Sequence, residues 1–154
     1  MKKLLWLLIA LFVFTGALKA QNIKPDSTKS NQTEQRKRDS LAIIQTALDY
    51  IDGYYTSDGI RMERALHPEL SKRIIMKTDR GEQINQMSAL TLIQITKSKP
   101  VSPEAKRLRD VFVTDIFRDA ATAKIIASDW VDYLQLHRWH GRWVIVNVLW
   151  ELKK

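Results

Sequence analysis

Between residues 34 and 56 apolar side chains recur at Leu41, Ile44, Leu48, Ile51 and Tyr55, a three-four spacing that lines one stripe of a long amphipathic helix. Gly53 weakens its last turns, and Ser57-Asp58-Gly59 ends it. Asp58 is placed to cap a second, short helix through Ile60, Met62, Ala65 and Leu66. Pro68 closes that helix, because the residue before a proline is pushed out of the α region. Residues 70–85 carry the alternation of short strands, best defined over 72–78, around a turn at Asp79-Arg80-Gly81. Ser88 is the N-cap of a third helix running to about Lys97, with Met87 set to staple onto Leu92. Beyond Pro100 and Pro103, residues 108–117 and 121–128 read as two strands that meet near Arg118-Asp119.

The densest apolar pattern is the last, residues 129–154, which carries four of the five tryptophans. His140-Gly141 separates two apolar runs, and a two-residue hairpin loop needs positive φ, which Gly supplies freely and His tolerates better than most residues. That loop puts Trp139 opposite Arg142, with Trp130, Asp132, Leu134, Leu136 and Arg138 sharing a face with Trp143, Ile145, Asn147 and Leu149. The other face then holds Tyr133 with Val144, Val146, Val148 and Trp150. Both faces are largely apolar, so the pattern predicts helices over one and a second subunit over the other, a homodimer built on those five residues. Helices followed by a run of strands make an α+β plan, a curved antiparallel sheet packed on about three N-terminal helices.

Composition changes this picture mainly at the N-terminus. Lys2 and Lys3, an apolar run over residues 4–18 and Ala20 predict a signal peptide over 1–20 and a secreted or periplasmic protein. If the segment is kept, it is the chain's one membrane contact, an N-terminal anchor. Residues 21–38 are polar, with Ile23 the only large apolar side chain, and read as a disordered linker whose Arg36-Lys37-Arg38 run is solvated. The folded part is then a single domain over 39–154. The net charge of +8 falls mostly on the leader and linker, leaving 17 basic and 15 acidic residues over 39–154, so the charge gives no reason to expect nucleic acid as a partner. Without cysteine the chain has no disulfide and no thiolate metal site.

The order of elements resembles the nuclear transport factor 2-like (SnoaL-like) superfamily, and within it the bacterial family described as putative lumazine-binding. The resemblance is carried by Ala47-Leu48-Asp49-Tyr50-Ile51-Asp52-Gly53-Tyr54-Tyr55, Met62-Glu63-Arg64-Ala65-Leu66-His67-Pro68-Glu69-Leu70, Asp119-Ala120-Ala121-Thr122-Ala123-Lys124 and residues 129–152. It implies a cone-shaped α+β barrel with a cavity between the sheet and the helices. It also implies catalytic relatives, ketosteroid isomerases and polyketide cyclases, that resemble one another in placing a carboxylate and tyrosine or acid donors inside such a cavity. An apolar cavity raises a carboxyl pKa by desolvating the charged form, which makes it usable near neutral pH.

The candidate pocket residues are Asp132 and Asn147, which the register above sets diagonally on one face, with Trp130 beside them and Tyr54, Tyr55 and His67 from the helices. Tyr55 also continues the helical core stripe, and His67 before a proline commonly satisfies loop carbonyls. No acid of the chain aligns by motif with the catalytic base of the relatives, so no catalytic residue is assigned. His67, His137 and His140 lack metal-ligand spacing, and there is no glycine-rich phosphate loop, so no metal and no cofactor are expected. The leading reading is an exported, non-catalytic domain that binds a small, partly apolar molecule. An isomerase, cyclase or hydratase-like enzyme is second, and a homodimeric interaction module with a filled cavity third.

Overall fold

The computed structural model describes residues 27–154, so the expected leader and the start of the expected linker lie outside the described residues. The chain order is α1 (Ser27–Thr56), α2 (Gly59–Ala65), β1 (Leu66–Thr78), β2 (Gly81–Ser88), α3 (Ala89–Ser98), a 3-10 turn (Glu104–Lys106), β3 (Arg109–Phe117), β4 (Ala120–Ala127), β5 (Trp130–Trp139) and β6 (Arg142–Leu152). Six strands form one open sheet in the order β2-β1-β6-β5-β4-β3, with the three helices packed on it. The all-antiparallel expectation is corrected at one place. β1 runs parallel to β6, because the whole of β2 to β5 intervenes and a hairpin cannot join them. Among the described residues no helix is long and apolar enough to cross a membrane.

α1 begins well before the expected start, and its residues 27–38 are helical where a disordered linker was expected. Lys, Gln, Glu and Arg are good helix formers, and the turns are reinforced by Arg38 donating to Gln35 and Gln35 donating to Asp39. Low hydrophobicity alone hid this. The buried stripe is also turned from the expected one: Ile43, Ala47, Tyr50, Ile51 and Tyr55 are buried, while Leu41 is 60% exposed. Paired apolar positions such as Ile43-Ile44 and Tyr50-Ile51 leave the phase of the stripe open, and packing on the sheet chooses it. Gly53 is where α2 crosses α1: a Cβ there would meet the Met62 nitrogen at 2.9 Å. Asp58 caps α2 by accepting the Arg61 N–H at 2.9 Å, and Ser88 caps α3 through the Thr91 N–H. Helix α2 stops at Ala65 rather than at Pro68, which lies in β1 inside the Leu66–Ser71 stretch where the register with β6 slips. A proline there breaks no ladder bond.

The closing hairpin turns as expected, His140 at φ 47 and Gly141 at φ 78, with Trp139 opposite Arg142. Four residues later the expected faces exchange. Leu136 pairs with Ile145 but Gln135 pairs with Asn147, so Val146 is an extra residue, a β-bulge. Past it Val148 and Trp150 pair with Leu134 and Asp132 on the helix-covered face, while Asn147 and Leu149 pair with Gln135 and Tyr133 on the outer one.

Candidate functional site

β1 sets the first side chain. Leu70, Lys72 and Ile74 alternate toward the helices and are all buried, so a lysine stands in an apolar row. β6 pairs Lys72 with Val148, and β5 brings Asp132 opposite Trp150. The result is a buried ion pair, Lys72 Nζ donating to Asp132 Oδ1 at 2.6 Å, with Asp132 0% exposed. Asp132 Oδ2 accepts the Trp130 indole N–H at 2.6 Å and the Tyr50 hydroxyl at 3.3 Å, and Lys72 also donates to the Tyr50 oxygen at 2.5 Å. The ammonium lies 4.7 Å from the centre of the Trp150 ring. Both carboxylate oxygens therefore accept hydrogen bonds.

A cavity of about 90 Å³ opens beside this cluster. Tyr50, Tyr54, Trp130 and Trp150 wall it, Lys72 borders it, and Met87, Leu92 and Ile95 from β2 and α3 close it. Ile95 is 38% exposed, which places the mouth there. The Trp150 indole N–H is buried and has no acceptor, and a buried donor left unpaired costs on the order of 1–3 kcal/mol. A space of this size holds about three waters at ~30 Å³ each. Burial lowers the Lys72 pKa below the ordinary lysine value, and Asp132 opposes that fall without reversing it. Burial and the neighbouring Asp132 push the Tyr50 phenol well up, so it stays protonated, and burial also raises Tyr54.

A larger space of about 990 Å³ lies between the first half of α1 and the β3–β4 turn, near Arg36, Asp39, Phe117 and Arg138. It is an open groove in which Asp39 and Asp119 are both paired with Arg138. Arg138 binds Asp39 at 2.5 Å and Asp119 at 2.9 Å, and Arg36 reaches the Ile116 carbonyl at 3.4 Å. Trp150 and Lys72 both line the smaller, inner cavity.

Of the expected pocket residues Tyr54 and Trp130 line this cavity, Asp132 lies outside the lining, bonded to Lys72 and Trp130, and the others are dispersed. Asn147 is on the outer face, its Oδ1 accepting from Arg73 at 2.8 Å, because the Val146 bulge reverses the strand beyond it. Tyr55 is a clamp: its hydroxyl donates to the Leu108 carbonyl at 2.8 Å and accepts the Ser128 N–H at 3.1 Å. His67 accepts the Glu69 N–H and meets Trp139 edge-on at 4.6 Å, away from the cavity lining. The five-residue dimer face is likewise corrected. Val144 and Val148 are fully buried by the chain itself, Val146 is half-buried, Trp150 walls the cavity, and Tyr133 alone is exposed. Lys72 and Tyr50 were missed. The signal for Lys72 was its place in the Leu70-Lys72-Ile74 alternation, one charge on an apolar face.

Residues 38–151 match the family described as putative lumazine-binding. No curated protein matches the chain. Among solved structures, a nuclear transport factor 2-like protein of unknown function from Shewanella baltica is similar with a TM-score of 0.63 at 18% identity, covering 77% of this chain and 96% of that one. One from Novosphingobium aromaticivorans, with a cystatin-like fold, gives 0.60 at 12%, covering 84% and 92%. The association domain of C. elegans CaMKII gives 0.51 at 15%, covering 79% and 98%. At these identities the likeness is one of fold.

Proposed function

We propose that this chain, which belongs to the putative lumazine-binding family and has a nuclear transport factor 2-like fold, binds a small, flat, uncharged molecule in the cavity beside Lys72 and Trp150. The observation that carries this reading is the buried, unpaired Trp150 N–H at a cavity walled by four aromatic rings. Lys72 and Asp132 neutralise each other and both Asp132 oxygens already accept hydrogen bonds, so the cavity offers donors and ring faces but no unpaired carboxylate. A flat heterocycle carrying carbonyl or ring-nitrogen acceptors, as lumazine does, fits that chemistry. Ligand pockets run to roughly 300–1,000 Å³, so binding moves Met87, Leu92 and Ile95 outward, and the unbranched Met87 does so most easily.

Titrating lumazine while following tryptophan fluorescence and heat tests this. Trp150→Phe keeps the ring and removes the donor, and the loss of one hydrogen bond weakens binding about fivefold to tenfold. Binding unchanged in a folded Trp150→Phe protein, or no binding of any flat heterocycle, overturns the reading.

The same proposal includes export, supported by the composition of residues 1–20. Terminal sequencing of the protein from its own cell envelope, finding residue 1 retained, would reject cleavage. It also includes a homodimer, now through the row Arg73, Leu149, Tyr133, Lys124 and Phe112 that neighbouring strands align across the outer face. An isomerase, cyclase or hydratase-like reading has one observation in its favour, the removable proton of a buried lysine held against a carboxylate and a phenol.

A further inference from the structure

We infer that Lys72 is a nucleophile and that the ligands of this cavity include small aldehydes and ketones, which Lys72 holds as a protonated imine. The inference rests on the cavity reading above and names the chemistry of its ligand. Lys72 is the buried lysine among the described residues, and it lines a cavity. A lysine that only neutralised Asp132 would need no such opening. Arg138 does that work for Asp39 with a charge that cannot be removed.

The neighbours supply the rest of the reaction. Trp150, whose ring centre is 4.7 Å from Lys72 Nζ, has an unpaired N–H to hold a carbonyl oxygen while its carbon faces the amine. Asp132, at 2.6 Å, takes the ammonium proton as the amine becomes neutral. The nitrogen lone pair then forms the C–N bond, and the carbonyl π pair moves to oxygen. Two protons carry that oxygen off as water as the C=N bond closes: the one held on Asp132 and one from the attacking nitrogen, relayed through the Tyr50 hydroxyl 2.5 Å away. Ammonium and carbonyl give iminium and water, so the net charge beside Asp132 is the same before and after. The ion pair that holds the lysine also holds the product, and burial that lowers the lysine's proton affinity eases the first transfer.

The test uses the full chain, propanal as probe and cyanoborohydride to trap imines, with peptide mass mapping to compare Lys72 with the exposed Lys77 and Lys153. Lys72 is expected to label about tenfold faster than either near neutral pH, where a lysine with a lowered pKa has the larger share of neutral amine. Its labelling should also persist to lower pH than theirs, which a merely structural lysine would not show. Tyr50→Phe keeps the ring and should slow Lys72 severalfold while leaving Lys77 unchanged. Asp132→Asn should do the same if it folds. Labelling of Lys72 no faster than Lys77, with lumazine still quenching tryptophan, overturns the imine and leaves the cavity reading standing. Fast labelling without lumazine binding supports the imine and removes the heterocycle. Failure of both removes both.

Discussion

Two carboxylates in this protein are held by nearly the same groups and do different things. Asp39 accepts from the Trp143 indole at 3.3 Å and from Arg138 at 2.5 Å, and Asp132 accepts from the Trp130 indole and from Lys72, both at 2.6 Å. Asp39 pins α1 to β5 and β6, and Arg138 goes on to bind Asp119 at the β3–β4 turn. Its cation is a planar fork that stays charged at any working pH. Asp132 has a cation whose proton can leave, no solvent, and a cavity with an unpaired donor beside it. One is a clamp between elements and the other lies beside the proposed site. Burial alone does not separate them; what does is the removability of the proton and the empty space next to it.

The largest expected effect separates the two at once. Asp132→Ala or Lys72→Met alone leaves one buried charge without its partner and should cost about 3–5 kcal/mol. Replacing both, Lys72→Met with Asp132→Leu, removes the charges together and should restore at least half of that loss. The remainder reflects the Trp130 and Tyr50 donors that lose their acceptor. Urea midpoints of the three variants check this. Singles that cost no more than an exposed ion pair, below about 1 kcal/mol, would mean that water reaches the pair and that the inner site is no different in kind from the rim.

Much of the fold could be seen in the pattern of residues, and the site much less. The His140-Gly141 turn, the Ser88 and Asp58 caps and the order of elements are set by local chemistry, and local chemistry is visible in sequence. The Val146 bulge is not. In Val144-Ile145-Val146-Asn147-Val148 any residue could be the extra one, and a slip of one place sends Asn147 outward and Trp150 inward. The parallel pairing of β1 with β6 decides which charge meets Asp132, and the resulting Lys72–Asp132 contact joins residues 60 apart in the chain. Asp132 itself could be found from its place in an apolar strand, but its partner could not.

The next effect is the pH dependence of the clamp. Burial by itself would raise the Asp39 pKa, but hydrogen bonds from Arg138, Gln35 and Trp143 outweigh it and hold the carboxyl below its ordinary value, as Arg64 and Arg61 do for Asp49. A carboxyl depressed on folding contributes stability that is fully present above its unfolded pKa, about 3.9. That stability drains as pH falls from there through the folded value. Asp39→Asn should therefore cost about 1–2 kcal/mol at pH 7, less at pH 3, and leave lumazine binding unaltered. A cost independent of pH, or a change in ligand affinity, would join the clamp to the site and undo the distinction between them.

The smallest effect tests the other side of the sheet, where the comparison predicts nothing of either kind. Tyr133, Leu149 and Phe112 are each 51% exposed on the outer face, with Ile75 and Ile84 at one end of it. Lys124 lies over the Tyr133 ring at 5.8 Å, and among the described residues no buried carboxylate is paired there as Asp39 or Asp132 is. Tyr133→Ser with Leu149→Ser should shift monomer stability by no more than about 0.5 kcal/mol, the usual range for exposed positions. If the row joins two copies, sedimentation at micromolar concentration should change from dimer to monomer while Lys72 labelling and lumazine quenching stay as they were. A double variant that sediments like the parent removes the dimer face. One that loses ligand binding while still folded would show that the second copy shapes the cavity, because the two faces of the sheet share the backbone of β5 and β6, and the Val146 bulge that turns Trp150 inward is the same feature that turns Leu149 outward.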